Sequence, residues 1–261
     1  MDTLQLTHSA GFFSCSTVGL LYILDFFNTN KKLPEVLDRS KQYTYYTSED
    51  KNPAEYYFNE SNKVNIGYET PVKITDEPEE DQFSDYSKIN YKEIAPFVLK
   101  YYTPSREVTD LTVSYKEKYN LDYNKLCAVY HRGTDKWTET PLADYEDFIQ
   151  KAKQVQQNNP EIKFLVQTDE NDFVRRFVEE FKESAIILEE VDRVDRNGPC
   201  VHFTIPSDKR TEHGLAYFAS VLCLSKCKHL ITHSGNGAMW CMFYRDGIDN
   251  VHQWLQDRWL L

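Results

Sequence analysis

The strongest restriction on this chain is the alternation, in its second half, of short apolar runs with stretches that repeat at helical spacing. Residues 125–130, 162–166, 185–188 and 229–232 read as buried strands, and residues 144–157, 170–183, 212–226 and 236–244 as helices. In the first of these helices Tyr145, Phe148, Ile149 and Ala152 share one face. A strand-then-helix order repeated in this way demands a largely parallel sheet, because parallel neighbours need a crossover between them. Ligands of such sheets bind beyond the carboxyl ends of the strands, so the residues that follow each strand deserve the closest reading.

The first half is less regular. Residues 3–7 predict a strand, 17–28 an apolar helix and 33–37 a second strand, a βαβ start with Gly11 in its first turn. From 43 to 85 the pattern dissolves into tyrosines, acids and prolines, with an acidic patch at Glu77-Pro78-Glu79-Glu80-Asp81, which predicts an irregular insertion. Helical spacing returns over 86–100 and 107–119, interrupted by Tyr102-Thr103-Pro104-Ser105, whose proline and capping serine mark a restart. With 261 residues the chain has room for two compact halves, divided near residue 120. The closing stretch 251–261 places Trp254, Leu255 and Trp259 on one side and reads as a helix packed across the two halves.

Apolar residues make up 41% of the chain and charged ones 27%, as in a folded domain. The net charge of -11 opposes nonspecific binding to nucleic acid or to an anionic membrane, both of which need a basic face. No run of about 18 apolar residues stands out, and the start lacks the layout of a signal peptide, so the expected location is cytoplasmic, with no membrane span. The six cysteines are scattered; Cys223 and Cys227 lie four apart in a helical stretch with no second pair at zinc spacing, which favours core packing and a reducing compartment. Asn59-Glu60-Ser61 fits a glycosylation triplet of a kind common by chance.

Three segments after strands carry chemistry. In His131-Arg132-Gly133-Thr134-Asp135-Lys136, Arg132 offers a fork of donors for phosphate oxygens, Gly133 lets backbone come close and Lys136 adds a point charge; the plainer alternative is a surface ion pair between Arg132 and Asp135. In Gln167-Thr168-Asp169-Glu170, Thr168 or Asp169 can cap the next helix, or the Asp169 carboxylate can accept two hydrogen bonds from a guanine edge. In Thr232-His233-Ser234-Gly235-Asn236-Gly237 a strand enters a helix through small residues, either an anion site at a helix N-terminus or a tight turn. No P-loop and no dinucleotide glycine fingerprint is present, which disfavours an NTPase or a dehydrogenase.

The order of these segments resembles the fucosyltransferase superfamily, which includes the α1,6- and α1,2-fucosyltransferases, the nodulation fucosyltransferases and the protein O-fucosyltransferases. The family motif His-x-Arg-Arg-x-Asp falls on Tyr130-His131-Arg132-Gly133-Thr134-Asp135, with Tyr130 in place of its histidine and Gly133 in place of its second arginine. Thr168-Asp169 is similar to the second motif, whose acid reads guanine, and Ser234-Gly235-Asn236 falls where the family has a serine-rich phosphate loop. Gly11-Phe12-Phe13 sits where these enzymes place a glycine-containing loop facing the cleft.

The resemblance implies an α/β fold of two Rossmann-like domains facing a cleft, the GT-B glycosyltransferase architecture, with residues 1–120 on the acceptor side and 121–261 binding the nucleotide sugar. It implies transfer of a sugar, fucose from GDP-fucose, to a glycan hydroxyl with inversion and without a metal or other cofactor. The absence of an Asp-x-Asp triplet agrees with the last point. Arg132 and the helix terminus after Ser234 would meet the charge of the departing diphosphate, and Lys136 and Glu139 fall in a stretch similar to the family's Thr-Asp-Lys-x-x-Thr-Glu, with Glu139 the candidate base and a solvated surface acid as the alternative. Gly11, Phe12, His131, Asp135, Thr168, Asp169, His233, Ser234, Gly235 and Asn236 are the implied donor-binding set. His233 and then His213 lead the remaining histidines as proton acceptors or phosphate donors. Tyr130 and Gly133 keep open another donor, such as a UDP-pentose, or a nonenzymatic protein that binds a glycan or nucleotide.

Overall fold

The computed structural model describes residues 2–48, 54–59, 66–67, 71–77, 81–134 and 136–260. Asp135, Glu60 and Ser61 of the glycosylation triplet, and Pro78, Glu79 and Glu80 of the acidic patch lie outside them.

The second half is a six-stranded sheet in the order β10-β9-β8-β5-β6-β7. Its strands are β5 (Leu126–Tyr130), β6 (Lys163–Gln167), β7 (Ala185–Ile187), β8 (His229–His233), β9 (Val251–Leu255) and β10 (Arg258–Leu260). All pairs are parallel except β9 with β10. The chain starts in the middle at β5, adds strands on one side, then returns to add β8 and β9 on the other, so progression reverses between β5 and β8. That is the switch point where parallel sheets open a crevice.

Side chains of the central strands alternate between two cores. Leu126, Ala128, Tyr130, Leu165 and Leu230 face the larger one, and Cys127, Val129, Phe164, Val166 and Ile231 the smaller. The smaller core is closed by α5 (Tyr145–Asn158) and α6 (Asn171–Phe181). The larger is closed by α8 (Arg210–Lys226) and α9 (Asn236–Arg245). Helix α8 buries eleven residues around its whole circumference, because it lies between the sheet and the first half.

The expected terminal helix is absent. Residues 251–260 form the β9–β10 hairpin, closed by Gln256 and Asp257 at φ 50° and 58°. Two successive left-handed residues make a tight hairpin turn, and this sets Trp254 opposite Trp259 with ring centroids 5.2 Å apart.

The first half begins with β1 (Thr3–Gln5), α1 (Phe12–Asn30) and β2 (Val36–Asp38), a parallel βαβ unit. Helix α1 starts five residues before the predicted 17, since Gly11 already supplies the non-helical N-cap and Phe12 and Phe13 are buried. It is long and apolar enough to meet the length and hydropathy of a membrane span, and ten of its residues are buried inside the protein. Thr17 of α1 accepts from Trp240 Nε1 of α9 at 2.9 Å, so the two halves share one core. After α2 (Ala54–Tyr57) and β3 (Phe58–Asn59) come α3 (Tyr91–Tyr101), β4 (Thr103–Pro104) and α4 (Arg106–Lys118), the last capped by Ser105 as expected. A four-residue helix, α7 (Val201–Thr204), precedes α8. Among the described residues the first half has one two-stranded parallel sheet and the short antiparallel β3–β4 pair, a narrower frame than the Rossmann-like sheet expected of it.

Candidate functional site

Strands β5, β6 and β8 end level: Tyr130 lies opposite Gln167 on one side and Thr232 on the other. Their loops therefore emerge side by side, and the three segments singled out in the sequence meet at the switch point.

The loop after β5 is held by two acids from the loop after β6. Asp169 Oδ2 accepts from Arg132 Nε at 2.9 Å and from the Thr134 hydroxyl at 2.8 Å, while Oδ1 accepts from the Gly133 amide at 2.8 Å. Glu170 Oε1 accepts from the Thr134 amide at 2.9 Å and Oε2 from the Tyr145 hydroxyl at 2.6 Å. Thr134 sits at φ 37°, a costly region for a branched residue, and these contacts hold it there. A β-carbon on Gly133 would collide with the Glu170 carboxylate. Glycine at 133 is what lets the Glu170 carboxylate approach the loop this closely.

These contacts change two expectations. Arg132 pairs with Asp169, while its other expected partner, Asp135, lies outside the described residues; and Asp169, with both oxygens engaged by its neighbour loop, anchors that loop instead of presenting a free edge to a base. Neither Thr168 nor Asp169 caps α6, whose N-cap is Glu170. Thr168 Oγ1 faces His131 Nδ1 at 2.9 Å and accepts from the Glu170 amide at 3.2 Å, so it belongs to the frame.

Above the loops lies a cavity of about 510 Å³, in the range of small-molecule sites. Arg132, Lys136, Glu139, Asp169, His233 and the 234–236 loop line it from the second half; Gly11 and Phe12 line it from the first. His131 and Thr168 lie behind this wall. Two helix N-termini open into the cavity. Helix α9 begins at Gly235 without a side-chain cap, so the first-turn amides of Asn236, Gly237 and Ala238 have no acceptor within the helix. Helix α1 likewise begins at Gly11 without a side-chain cap. A β-carbon on Gly11 would meet nothing within 4 Å, so the residue leaves space on the cavity side, while the Phe12 ring packs against Tyr46 and Tyr57.

At the α9 terminus Gly235 has φ 153°, and a β-carbon there would stand 3.0 Å from Lys136 Cε, so both conformation and space call for glycine. The Gly235 amide donates to the Tyr86 hydroxyl at 2.9 Å. Ser234 lines the cavity, but its hydroxyl is engaged within the protein: it donates to the Trp254 carbonyl at 2.7 Å and accepts from Gln253 at 2.8 Å. Lys136, almost buried, donates to Glu139 Oε2 at 2.6 Å and to Gln82 Oε1 at 3.3 Å, and Asn236 donates to the same Gln82 oxygen at 2.9 Å. Gln82 thereby ties the β5 loop to the α9 terminus. Tyr130, the other motif departure, bonds Tyr217 at 2.5 Å and fills the space beside Gly237.

The histidines belong to the frame. His131 stacks on Phe173 at 4.1 Å, and burial together with the Arg132 charge pushes its pKa down to about 3. His233 lies 5.1 Å from it, with the Ala143 amide 3.2 Å from Nε2 and the Arg132 amide 3.3 Å from Nδ1. Burial holds its pKa well below the usual value. A neutral imidazole has one bare nitrogen, so it accepts from one of those amides at a time. Among the described residues no three His, Cys, Asp or Glu side chains group as a metal site would require.

No protein-family model and no curated protein matches the chain. Solved structures do. A NodZ α1,6-fucosyltransferase soaked with GDP-fucose aligns at a TM-score of 0.56 and 10% identity, over 93% of this chain and 92% of its own. The same enzyme co-crystallised with GDP aligns at 0.56 and 10%, over 94% and 91%. The chain shares the fold of these NodZ enzymes. Fucosyltransferase NodZ from Bradyrhizobium gives the same TM-score at 12% identity, over 88% of this chain and 87% of that one.

Several residues at the cavity carried no signal in the sequence. Gln82 comes from the end of the irregular stretch and Tyr86 from just beyond it, Tyr46 from its start, and Asp192 from the segment after β7. Each reaches the site through long-range packing that no local pattern encodes. Glu170 could have been found from Gly133, since a glycine in a charged loop signals that something approaches closely.

Proposed function

We propose that the chain is a glycosyltransferase of the GT-B type that takes a sugar, fucose from GDP-fucose, and transfers it to a glycan hydroxyl with inversion and without a metal. The observation that carries this reading is the meeting of two uncapped helix N-termini, one from each half, with Arg132 and Lys136 around one cavity at the switch point. Such termini attract anions through their free amides and their dipoles, and two of them with two cations suit a diphosphate. The shared fold with a NodZ enzyme soaked with GDP-fucose supports the choice of donor.

In this scheme the acceptor oxygen attacks the anomeric carbon, the bond from that carbon to the diphosphate oxygen breaks, and the acceptor proton passes to a carboxylate. Glu139 is the proposed base. Lys136 fixes one of its oxygens at the cavity wall and at the same time faces the α9 terminus, so one ion pair links the base to the leaving-group end. Arg132 and the α9 amides stabilise the charge that builds on the diphosphate.

Another donor, such as a UDP-pentose, is favoured by one observation: Asp169 is engaged by its own loop and does not offer the base edge the family resemblance assigns to it. Thermal unfolding with GDP and UDP separates the two. At a hundredfold excess over Kd, binding adds about 2.7 kcal/mol of stability, and the proposal expects this from GDP and not from UDP. The reverse result removes the fucosyl reading. Stabilisation by GDP with no turnover of GDP-fucose on any glycan would favour a nonenzymatic binder.

A further inference from the structure

Three carboxylates line the cavity among the described residues: Glu139, Asp169 and Asp192. Asp169 already accepts three hydrogen bonds, and Glu139 is tied to Lys136 beside α9. Asp192 differs from both. It follows β7, its side chain is 53% exposed, and its Oδ2 faces His213 Nδ1 at 2.8 Å. The stretch that carries it is pinned: Val191 is buried, the Val194 amide donates to the Asp169 carbonyl at 3.0 Å and the Val194 carbonyl accepts from Asn171 at 2.8 Å. His213 is itself fixed, its ring lying nearly parallel to Tyr46 at 5.8 Å and to Tyr217 at 6.5 Å.

We propose that Asp192, positioned by His213, reads the base of the bound nucleotide and selects guanine. This rests on the nucleotide-sugar reading above. A carboxylate has about four lone-pair sites, so one contact from His213 leaves room for two more. Guanine presents two donors side by side, N1–H and the 2-amino group, which match a carboxylate with two parallel bonds. Adenine turns a bare N1 toward it, and uracil a single N–H between two carbonyl oxygens; both repel the negative charge. The sheet order supplies the distance: the loop after β7 stands three strand positions from the loop after β8, roughly 14 Å. A diphosphate at the α9 terminus therefore has room to place its nucleoside over the ends of β6 and β7, against Asp192.

The test is calorimetric binding of GDP, IDP, XDP and UDP to the wild-type chain and to Asp192→Asn and Asp169→Asn. IDP lacks the 2-amino group, and XDP carries a carbonyl in its place. The wild type should prefer GDP over IDP at least tenfold. Asp192→Asn should collapse that ratio and gain affinity for XDP, because its amide donates to the new carbonyl; a gain of this kind cannot come from misfolding. Asp169→Asn should keep the GDP-to-IDP ratio while losing stability. An unchanged ratio in Asp192→Asn, or a collapsed one in Asp169→Asn, overturns the proposal. If the wild type binds none of the four, the nucleotide reading beneath it is what has failed.

Discussion

The two rims of the cavity contrast in how their polar groups are used. On the rim formed by the loops after β5 and β6, Arg132, Gly133, Thr134, Asp169, Glu170 and Tyr145 satisfy one another, and the motif residues build a rigid shelf. On the rim formed by the helix ends, the first-turn amides of α1 and α9 stand open, with Lys136 and Gln82 beside them. Motif-like sequence thus builds the support of the site as well as lending it Arg132 and Lys136, while the backbone amides of two helix ends complete the cavity.

The largest effect should come from breaking the shelf. Asp169→Ala leaves three donors without their acceptor, one on an arginine that stays partly in water, and should cost about 3 kcal/mol in chemical denaturation. A loss under about 1 kcal/mol would mean that the loop does not depend on Asp169.

Acid acts on the same rim. His131 and His233 have folded pKa values below the ordinary 6.5, so below that pH the unfolded chain binds protons that the folded one refuses. Their share of stability is complete above pH 6.5 and falls as pH drops toward 3. Between pH 7.5 and 5.5 the His131 share should fall by roughly 1.4 kcal/mol, and the His233 share should fall in the same direction. Urea unfolding across that range measures it, and a His131→Phe variant should show one proton fewer in the slope.

Gly133→Ala should cost about 2 kcal/mol by driving a methyl into Glu170, and much less in a Glu170→Ala background. Equal costs in both backgrounds would sever Gly133 from Glu170. The smallest effect lies on the other rim: Lys136→Met should weaken GDP binding about tenfold, roughly 1.4 kcal/mol, with little change in fold stability beyond the lost ion pair.

The second half was legible because fully buried runs such as Leu126–Tyr130 alternate with amphipathic helices such as Tyr145–Asn158, an order that demands a parallel sheet covered by helices. The terminal hairpin escaped because Gln256-Asp257 lacks the glycine that usually announces such a turn, and Trp254 and Trp259 are as compatible with one helix face as with cross-strand partners. In the site, the positions of Arg132, Lys136 and the 234–236 loop followed from strand ends. The pairing of Arg132 with Asp169 did not, since it joins residues 37 apart across two parallel strands. Gln82 and Asp192 were invisible for the same reason.

Backbone hydrogen exchange with and without GDP reads out whether the ends of α1 and α9 hold the diphosphate. If the helix ends hold the diphosphate, GDP should slow exchange at 236–238 of α9 and at 12–14 of α1 together. Binding of GDP that leaves both segments unprotected would contradict the account.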